Sequence, residues 1–253
     1  MNASIVGIIA FACTFLGTLF GMWLRTHLPQ QHLSTESGDT IKVGIGLIAT
    51  MTALVLGLVT ASAKSAFDTV DMAVRNAAID VLTLDRLLAR YGPETKEIRK
   101  GFQSVIVRRI DMIWPRDSSH PIQLDPSQSM TQAEQIVDRI RALTPHDAAQ
   151  QSLQSRAVEL GESLLKARWM VEAGESQSIP VPFLVILLFW MTIIFTSFGL
   201  FAPRNLTVLA VLFVCSLSVS SALFLVLELD GPFEGLIKVS PAPLRYAASR
   251  LDK

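Results

Sequence analysis

The chain has 253 residues, of which about half are apolar, and its 22 basic side chains balance 22 acidic ones. This apolar share is typical of membrane proteins rather than soluble ones. Because no basic excess is present to neutralise phosphates, the composition excludes a nucleic-acid-binding protein. Cys13 and Cys215 both lie in apolar runs, so they predict buried free thiols rather than a disulfide framework or a metal site.

The first apolar run, Ile5 to Leu24, predicts a membrane span that is retained in the protein. It is longer than the core of a signal peptide and no basic residue precedes it. Gly17 and Gly21 stand four residues apart within it, a spacing that lets two helices approach closely. The polar residues 25–42 that follow predict a loop.

One long helix is predicted from about Val43 to Arg90, with its first half in the bilayer and its second half in water. The first half is uncharged and long enough to cross roughly 30 Å of hydrocarbon. A seven-residue repeat runs through both halves and predicts a coiled-coil seam. The seam consists of Gly46, Ala49, Ala53, Leu56, Thr60, Ala63, Phe67, Val70, Val74, Ala77, Val81, Leu84 and Leu88. Because its members are small inside the span, this helix is expected to pack against other helices, including copies of itself.

Residues 62–178 predict a bundle of four helices, which includes the end of the long helix. Residues 94–114 repeat apolar side chains on one face, and residues 115–129 predict an exposed loop. The Thr131-x-x-Glu134 capping box predicts the start of a short helix. The last helix is predicted to start at Thr144-Pro145-x-Asp147, with threonine as the cap.

Two features of this bundle leave alternatives open. The outward basic side chains fit either a solvated face or a site for lipid headgroups or anions. Trp114 and Trp169 fit either the core or an anchor at the membrane interface.

The third span begins at Pro180 and Pro182, and a four-residue turn at 202–205 returns the chain into a fourth span, about Leu206 to Leu227. Glu228 and Asp230 follow at the membrane border, where they are expected to cap or anchor rather than to catalyse. A final amphipathic helix, 243–251, is expected to lie on the membrane surface or on the bundle.

The predicted fold is all-α: an integral membrane protein with four transmembrane helices and a cytoplasmic helical bundle inserted between spans two and three. The predicted parts are a first transmembrane hairpin (1–61), the bundle (62–178), a second transmembrane hairpin (179–229) and a cytoplasmic amphipathic tail (230–253). Four spans place both termini and the bundle on one side. Basic residues near the membrane are more numerous on that side, which indicates the cytoplasm, although Arg25 after the first span alone argues the reverse.

The sequence argues against an enzyme. Gly44-x-Gly46 lies within a membrane span rather than after a strand, so a dinucleotide site is excluded by context. The four histidines are scattered, and no serine or cysteine has a histidine partner in the pattern. We expect no cofactor and no bound metal.

Four segments resemble one known family. They are VLGLVTASAKSAFD, LDRLLARYGPE, FTSFGLFAPRN and LELDGPFEGLIKVS. Together they are similar to the bacterial bestrophin-like family of unknown function, whose members share four membrane spans and are remotely related to bestrophin ion channels. The resemblance implies a bacterial inner-membrane protein that forms a homo-oligomeric ring, such as a pentamer, with the second membrane helix lining an ion pore.

Two hypotheses from different classes follow. In the first, the protein is an oligomeric channel for inorganic ions, Leu56 is the bulky candidate for a constriction, and Lys64 draws anions at the cytoplasmic mouth. The candidate pore-lining residues are Gly46, Thr50, Ala53, Leu56, Gly57, Ala61 and Lys64. In the second, the protein is a membrane-anchored scaffold or signalling adaptor. The same small face then seals helix against helix, and the bundle binds a cytosolic partner.

Overall fold

The computed structural model describes residues 2–29, 35–115, 126–174, 179–203, 205–233 and 235–251, and no strand occurs within these ranges. The helices are α1 (Ala3–His27), α2 (Thr35–Tyr91), a 3-10 turn (Pro93–Thr95), α3 (Lys96–Ile113), α4 (Pro126–Arg141), α5 (Ala148–Gly174), α6 (Val181–Phe201), α7 (Leu206–Asp230) and α8 (Ala242–Arg250). The predicted all-α class is confirmed. Among the described residues, four helices are long and apolar enough to cross a membrane: α1, the Gly38–Tyr91 part of α2, α6 and α7.

The chain divides into two compact units. The first comprises residues 1–67 and 178–237, and the second comprises residues 68–177 and 238–253. The division falls within α2. The predicted tail 230–253 is shared between the units, because residues 231–237 belong with the end of α7 and α8 belongs with the bundle.

In the first unit, α1 packs against α6 and α7. Ala10 of α1 is buried with Leu184 of α6 and with Leu223 and Leu227 of α7. Thr14 of α1 is also fully buried, and its hydroxyl donates a 2.8 Å hydrogen bond to the carbonyl oxygen of Ala10. Because α1 satisfies this polar group internally, the interface needs no polar partner from another helix.

In the second unit, an apolar core joins α2, α3, α4, α5 and α8. Its fully buried side chains include Val81, Leu84 and Leu88 of α2 and Ile140 of α4. The Asp85 carboxylate accepts two bonds from Arg99 of α3, at 2.7 and 3.0 Å. Only 2% of the Asp85 side chain and 14% of the Arg99 side chain are exposed. This buried bidentate ion pair holds α3 against α2.

Three helix starts differ from the sequence predictions. α2 begins at Thr35, so part of the predicted loop 25–42 is helical, and the exposed pair Asp39–Lys42 at 2.9 Å supports this added turn. α4 begins at Pro126, within the predicted loop 115–129, because proline suits the first helical position; Thr131 therefore lies inside the helix.

The cap of α5 also differs from the prediction. Asp147, rather than Thr144, accepts the backbone N–H of Gln150 at 2.7 Å, and the helix begins at Ala148.

The predicted burial of Cys215 was wrong: the side chain is exposed on α7, and Cys13 is half-buried. An apolar run in a membrane helix need not face other helices, so hydrophobicity alone does not predict burial there.

Candidate functional site

The candidate pore-lining residues of α2 lie on one open face of the helix. Gly46, Thr50, Ala53, Gly57 and Ala61 are exposed, and their spacing of three, four and seven residues keeps them on one side. No other described part of the chain comes within 4 Å of a Cβ built at Gly46 or Gly57. We call these five residues the small face.

A second row of α2 packs against the chain's own helices. Val59 and Ala63 are buried with Leu187 of α6 and with Val226 and Leu229 of α7. Leu56 is half-buried against these side chains, so it stands at the edge of the small face rather than at its centre.

A third row of α2 is apolar, bulky and exposed. Leu47, Met51, Leu54 and Leu58 are 64%, 48%, 76% and 69% exposed. At about 100° of rotation per residue, this row is centred about 90° from the small face, and the buried row is centred about 140° from it in the opposite direction. We call these four residues the bulky row. On one side the small face therefore borders an apolar surface that no other described part of the chain covers, and on the other side it borders Leu56, which packs against the chain's own helices.

Lys64 lies in line with Gly46 along α2, because eighteen residues make five helical turns. At 1.5 Å per residue, the two positions are separated by about 27 Å, close to the thickness of the hydrocarbon layer. The side chain is exposed, and its Nζ lies 5.7 Å from the centre of the Phe67 ring. Lys64 therefore places a positive charge near one end of the small face.

Gly17 and Gly21 lie where α1 meets α6. A Cβ built on Gly17 would stand 2.9 Å from Oγ1 of Thr196. A Cβ on Gly21 would collide with the Thr196 carbonyl oxygen and stand 2.9 Å from the Leu200 nitrogen. The backbones of α1 and α6 therefore approach too closely for any side chain at Gly21.

The two acids after the fourth span hold backbone groups. Glu228 is 7% exposed, and its carboxylate accepts the N–H of Leu236 and, at 3.3 Å, that of Ile237. Asp230 accepts the N–H of Ile179, just before α6, at 3.2 and 3.3 Å. Both carboxylates therefore brace the segments that border the spans.

Sequence reasoning missed two glycines that make these contacts possible. Gly199 of α6 faces the Thr18 carbonyl oxygen of α1, where a Cβ would collide. Gly235 has φ +78°, and a Cβ there would collide with the Glu228 carboxylate. In the sequence, only the glycine itself marks either position. The group that Gly199 contacts lies on another helix, and the group that Gly235 contacts lies seven residues earlier in the chain.

The described residues contain no cluster of three or more His, Cys, Asp and Glu side chains that could hold a metal ion. His32 and His120 lie outside the described residues. The arrangement on α2 instead offers a long, open, weakly polar surface. Such a surface suits ion passage or helix packing.

Residues 12–244 match the sequence model of one family, described as a bestrophin-like domain. The fold is similar to the crystal structure of a bacterial bestrophin homologue from Klebsiella pneumoniae that carries a point mutation. The TM-score is 0.58 and the identity is 15%, with 96% of each chain covered. A search of curated proteins finds no match.

Proposed function

Because this chain belongs to the bestrophin-like family, we propose that it is a homo-oligomeric ion channel of the bacterial inner membrane in which α2 lines a central path. The observation that carries the proposal is the position of the small face between two different flanks. In a ring, each subunit presents two different surfaces to its two neighbours. If the bulky row packs on the next copy, the small face turns towards the ring axis.

The proposed path is lined by the small face, with Leu56 at its edge. Small side chains leave room for a partly hydrated ion, and Thr50 adds a hydroxyl oxygen. Lys64 raises the local concentration of anions at the mouth that we assign to the cytoplasm. The bundle and both termini lie on that same side in this proposal, and a pentamer is the ring that the family resemblance suggests.

Ion flux through liposomes that carry the purified protein tests the proposal. Gly57→Leu should reduce flux by about tenfold or more, because a bulky side chain then projects into the path. Ala210→Leu is the matched control: Ala210 is also exposed, but it lies on α7 and belongs neither to the small face nor to the bulky row. An absence of flux from correctly inserted wild-type protein, or equal loss in both variants, would contradict the proposal.

The charge at the mouth has its own test in the same liposomes. Lys64→Glu should shift the ratio of anion to cation flux towards cations, whereas Lys64→Arg should leave it unchanged. An unchanged ratio of anion to cation flux in Lys64→Glu would show that Lys64 does not lie at the mouth of the path.

A membrane-anchored scaffold or adaptor is the second candidate. It is favoured by the same small face, because small residues in membrane helices also serve to pack helices closely. Such a protein would assemble without conducting, so wild-type flux separates the two functions.

A further inference from the structure

We propose that a groove between α1 and α7 holds an acyl chain of a membrane phospholipid. Side chains from residues 4–11 of α1 and 217–224 of α7 line this groove, and its volume is about 340 Å³. Both helices are candidate spans, and all of these residues belong to the first unit. The groove therefore lies within the part of the protein that contacts lipid.

The groove is continuous with the apolar outer surface of the two spans. Ile8 of α1 and Leu217 of α7 line it and are 69% and 48% exposed, so they stand at its open side. Deeper in the groove, a Cβ built on Gly7 would stand 3.2 Å from the Cβ of Phe224, which is half-buried. The absence of a side chain at Gly7 thus keeps this recess open towards the bilayer.

The serine hydroxyls that α7 contributes to the groove are satisfied within their own helix. Ser220 donates to the Ser216 carbonyl oxygen at 2.8 Å, and Ser221 donates to the Leu217 carbonyl oxygen at 2.7 Å. A hydroxyl that bonds to its own helix needs no polar partner from a ligand, even in hydrocarbon. The groove therefore suits a ligand without polar atoms at this depth.

The size and position of the groove favour one hydrocarbon chain over a helix of another protein. Seven helical residues extend over about 10 Å, and a helix about 10 Å wide would need roughly 800 Å³ over that length. The groove has less than half of this volume. Ser4 lies in the first turn of α1, so the groove begins where the candidate span begins. An acyl chain that enters the bilayer there can fill the recess, whose lining atoms would otherwise lack packing partners.

Photo-crosslinking of the full chain in lipid nanodiscs tests the site. The nanodiscs contain phosphatidylcholine with a diazirine in the upper half of one acyl chain, and mass spectrometry of peptides locates the labels. Val211 is the reference, because it is exposed at a similar depth from the opposite end of α7. Labels per residue in the groove should exceed those at Val211 by about fivefold or more, because a chain packed on several sides is retained. Equal labelling of the groove and Val211 would indicate ordinary contact with the bilayer and would overturn the proposal.

A filled groove gives the second arm of the experiment. Ser221→Leu should lower labelling of the groove by about fivefold or more, because leucine occupies the space of several methylene groups. Ser218→Leu is the matched control: Ser218 is also exposed on α7 and donates to a carbonyl oxygen four residues earlier, but it does not line the groove. Labelling of Val211 should stay unchanged in both variants, which checks that they are folded and inserted.

Two further results would overturn the proposal. Equal labelling of the groove in Ser221→Leu and Ser218→Leu would show that the chain does not occupy the recess. Protection of the groove in wild type, with labels at Val211, would show that another copy of the chain covers it. The inference does not depend on ion conduction, so a failure of flux does not affect it.

Discussion

At the scale of single residues, Glu228 links the end of a span to the loop that follows it. One carboxylate oxygen accepts the N–H groups of Leu236 and Ile237, and Gly235 allows the loop to come this close. Hydrogen bonds to a charged acceptor are stronger than neutral ones, and a buried donor left without an acceptor is costly. The carboxylate therefore acts as a brace for residues 231–237.

Substitution of Glu228 should separate the roles of its shape and its charge. Glu228→Gln keeps a carbonyl oxygen that can accept both N–H groups, so it should cost less than about 1.5 kcal/mol. Glu228→Leu removes that acceptor and should cost about 1–3 kcal/mol through the half-buried Ile237 N–H, whereas water can replace it at Leu236, which is 83% exposed. Thermal unfolding of the detergent-solubilised protein measures the difference. Equal melting temperatures for the two variants would show that the carboxylate does not brace the loop.

Tyr91 gives a prediction of pH dependence. Burial, followed by the nearby Glu94 and Asp147 carboxylates, raises the pKa of this phenol above its ordinary value of 10.0. The folded bundle therefore favours the neutral phenol. Its contribution to stability is fully present below pH 10 and is lost as the pH rises through the raised pKa.

Tyr91→Phe should therefore lose less thermal stability than wild type between pH 9 and about pH 11. Tyr246→Phe is the control, because it removes a phenol that is 57% exposed from the same unit. Thermal unfolding across this pH range checks the prediction. A Tyr91→Phe curve parallel to that of wild type would contradict it.

At the scale of helices, the contact between α1 and α6 depends on glycine on both sides. Gly21 faces the backbone of α6, and Gly199 faces the backbone of α1. Membrane helices associate through such close packing, because burial in lipid provides little hydrophobic drive. The addition of a single methyl group at this contact should therefore destabilise the packing of α1 against α6.

Gly21→Ala should destabilise the protein by about 1–3 kcal/mol, since its Cβ must displace the backbone of α6. Gly46→Ala makes the same chemical change at a position with open space on the small face and should be neutral. Thermal unfolding in one detergent compares the two variants. Equal stability of Gly21→Ala and wild type would mean that α1 and α6 do not approach this closely.

The sequence predicted the helices better than it predicted their ends and contacts. Hydropathy identified all four candidate spans, because long apolar runs have few alternative structures. Thr131 and Thr144 were mistaken for caps because Pro126 and Asp147 offered competing starts nearby. The Asp85–Arg99 pair and the loop held by Glu228 depend on tertiary contacts that no local pattern records.

At the scale of the whole molecule, the single chain leaves much apolar surface without a partner in its described part. Leu54 on α2 and Leu206 at the start of α7 are 76% and 82% exposed. A bilayer or further copies of the chain can cover such surfaces. The small face of α2 is the exception, because its side chains are small and weakly polar, whereas those of the neighbouring bulky row are large and apolar. The sequence suggested this face through residue size, but it did not place Leu56 at the edge against α6 and α7.

The central claim is that the small face of α2 lines a water-filled path between copies. Single cysteines on this face and on the bulky row, in a chain with Cys13 and Cys215 replaced by alanine, test it most directly. A charged, membrane-impermeant thiol reagent should modify cysteines at Thr50, Ala53 and Gly57 and reduce ion flux, while it leaves cysteines at Leu54 and Leu58 unmodified. Modification of the bulky row with protection of the small face would contradict the account.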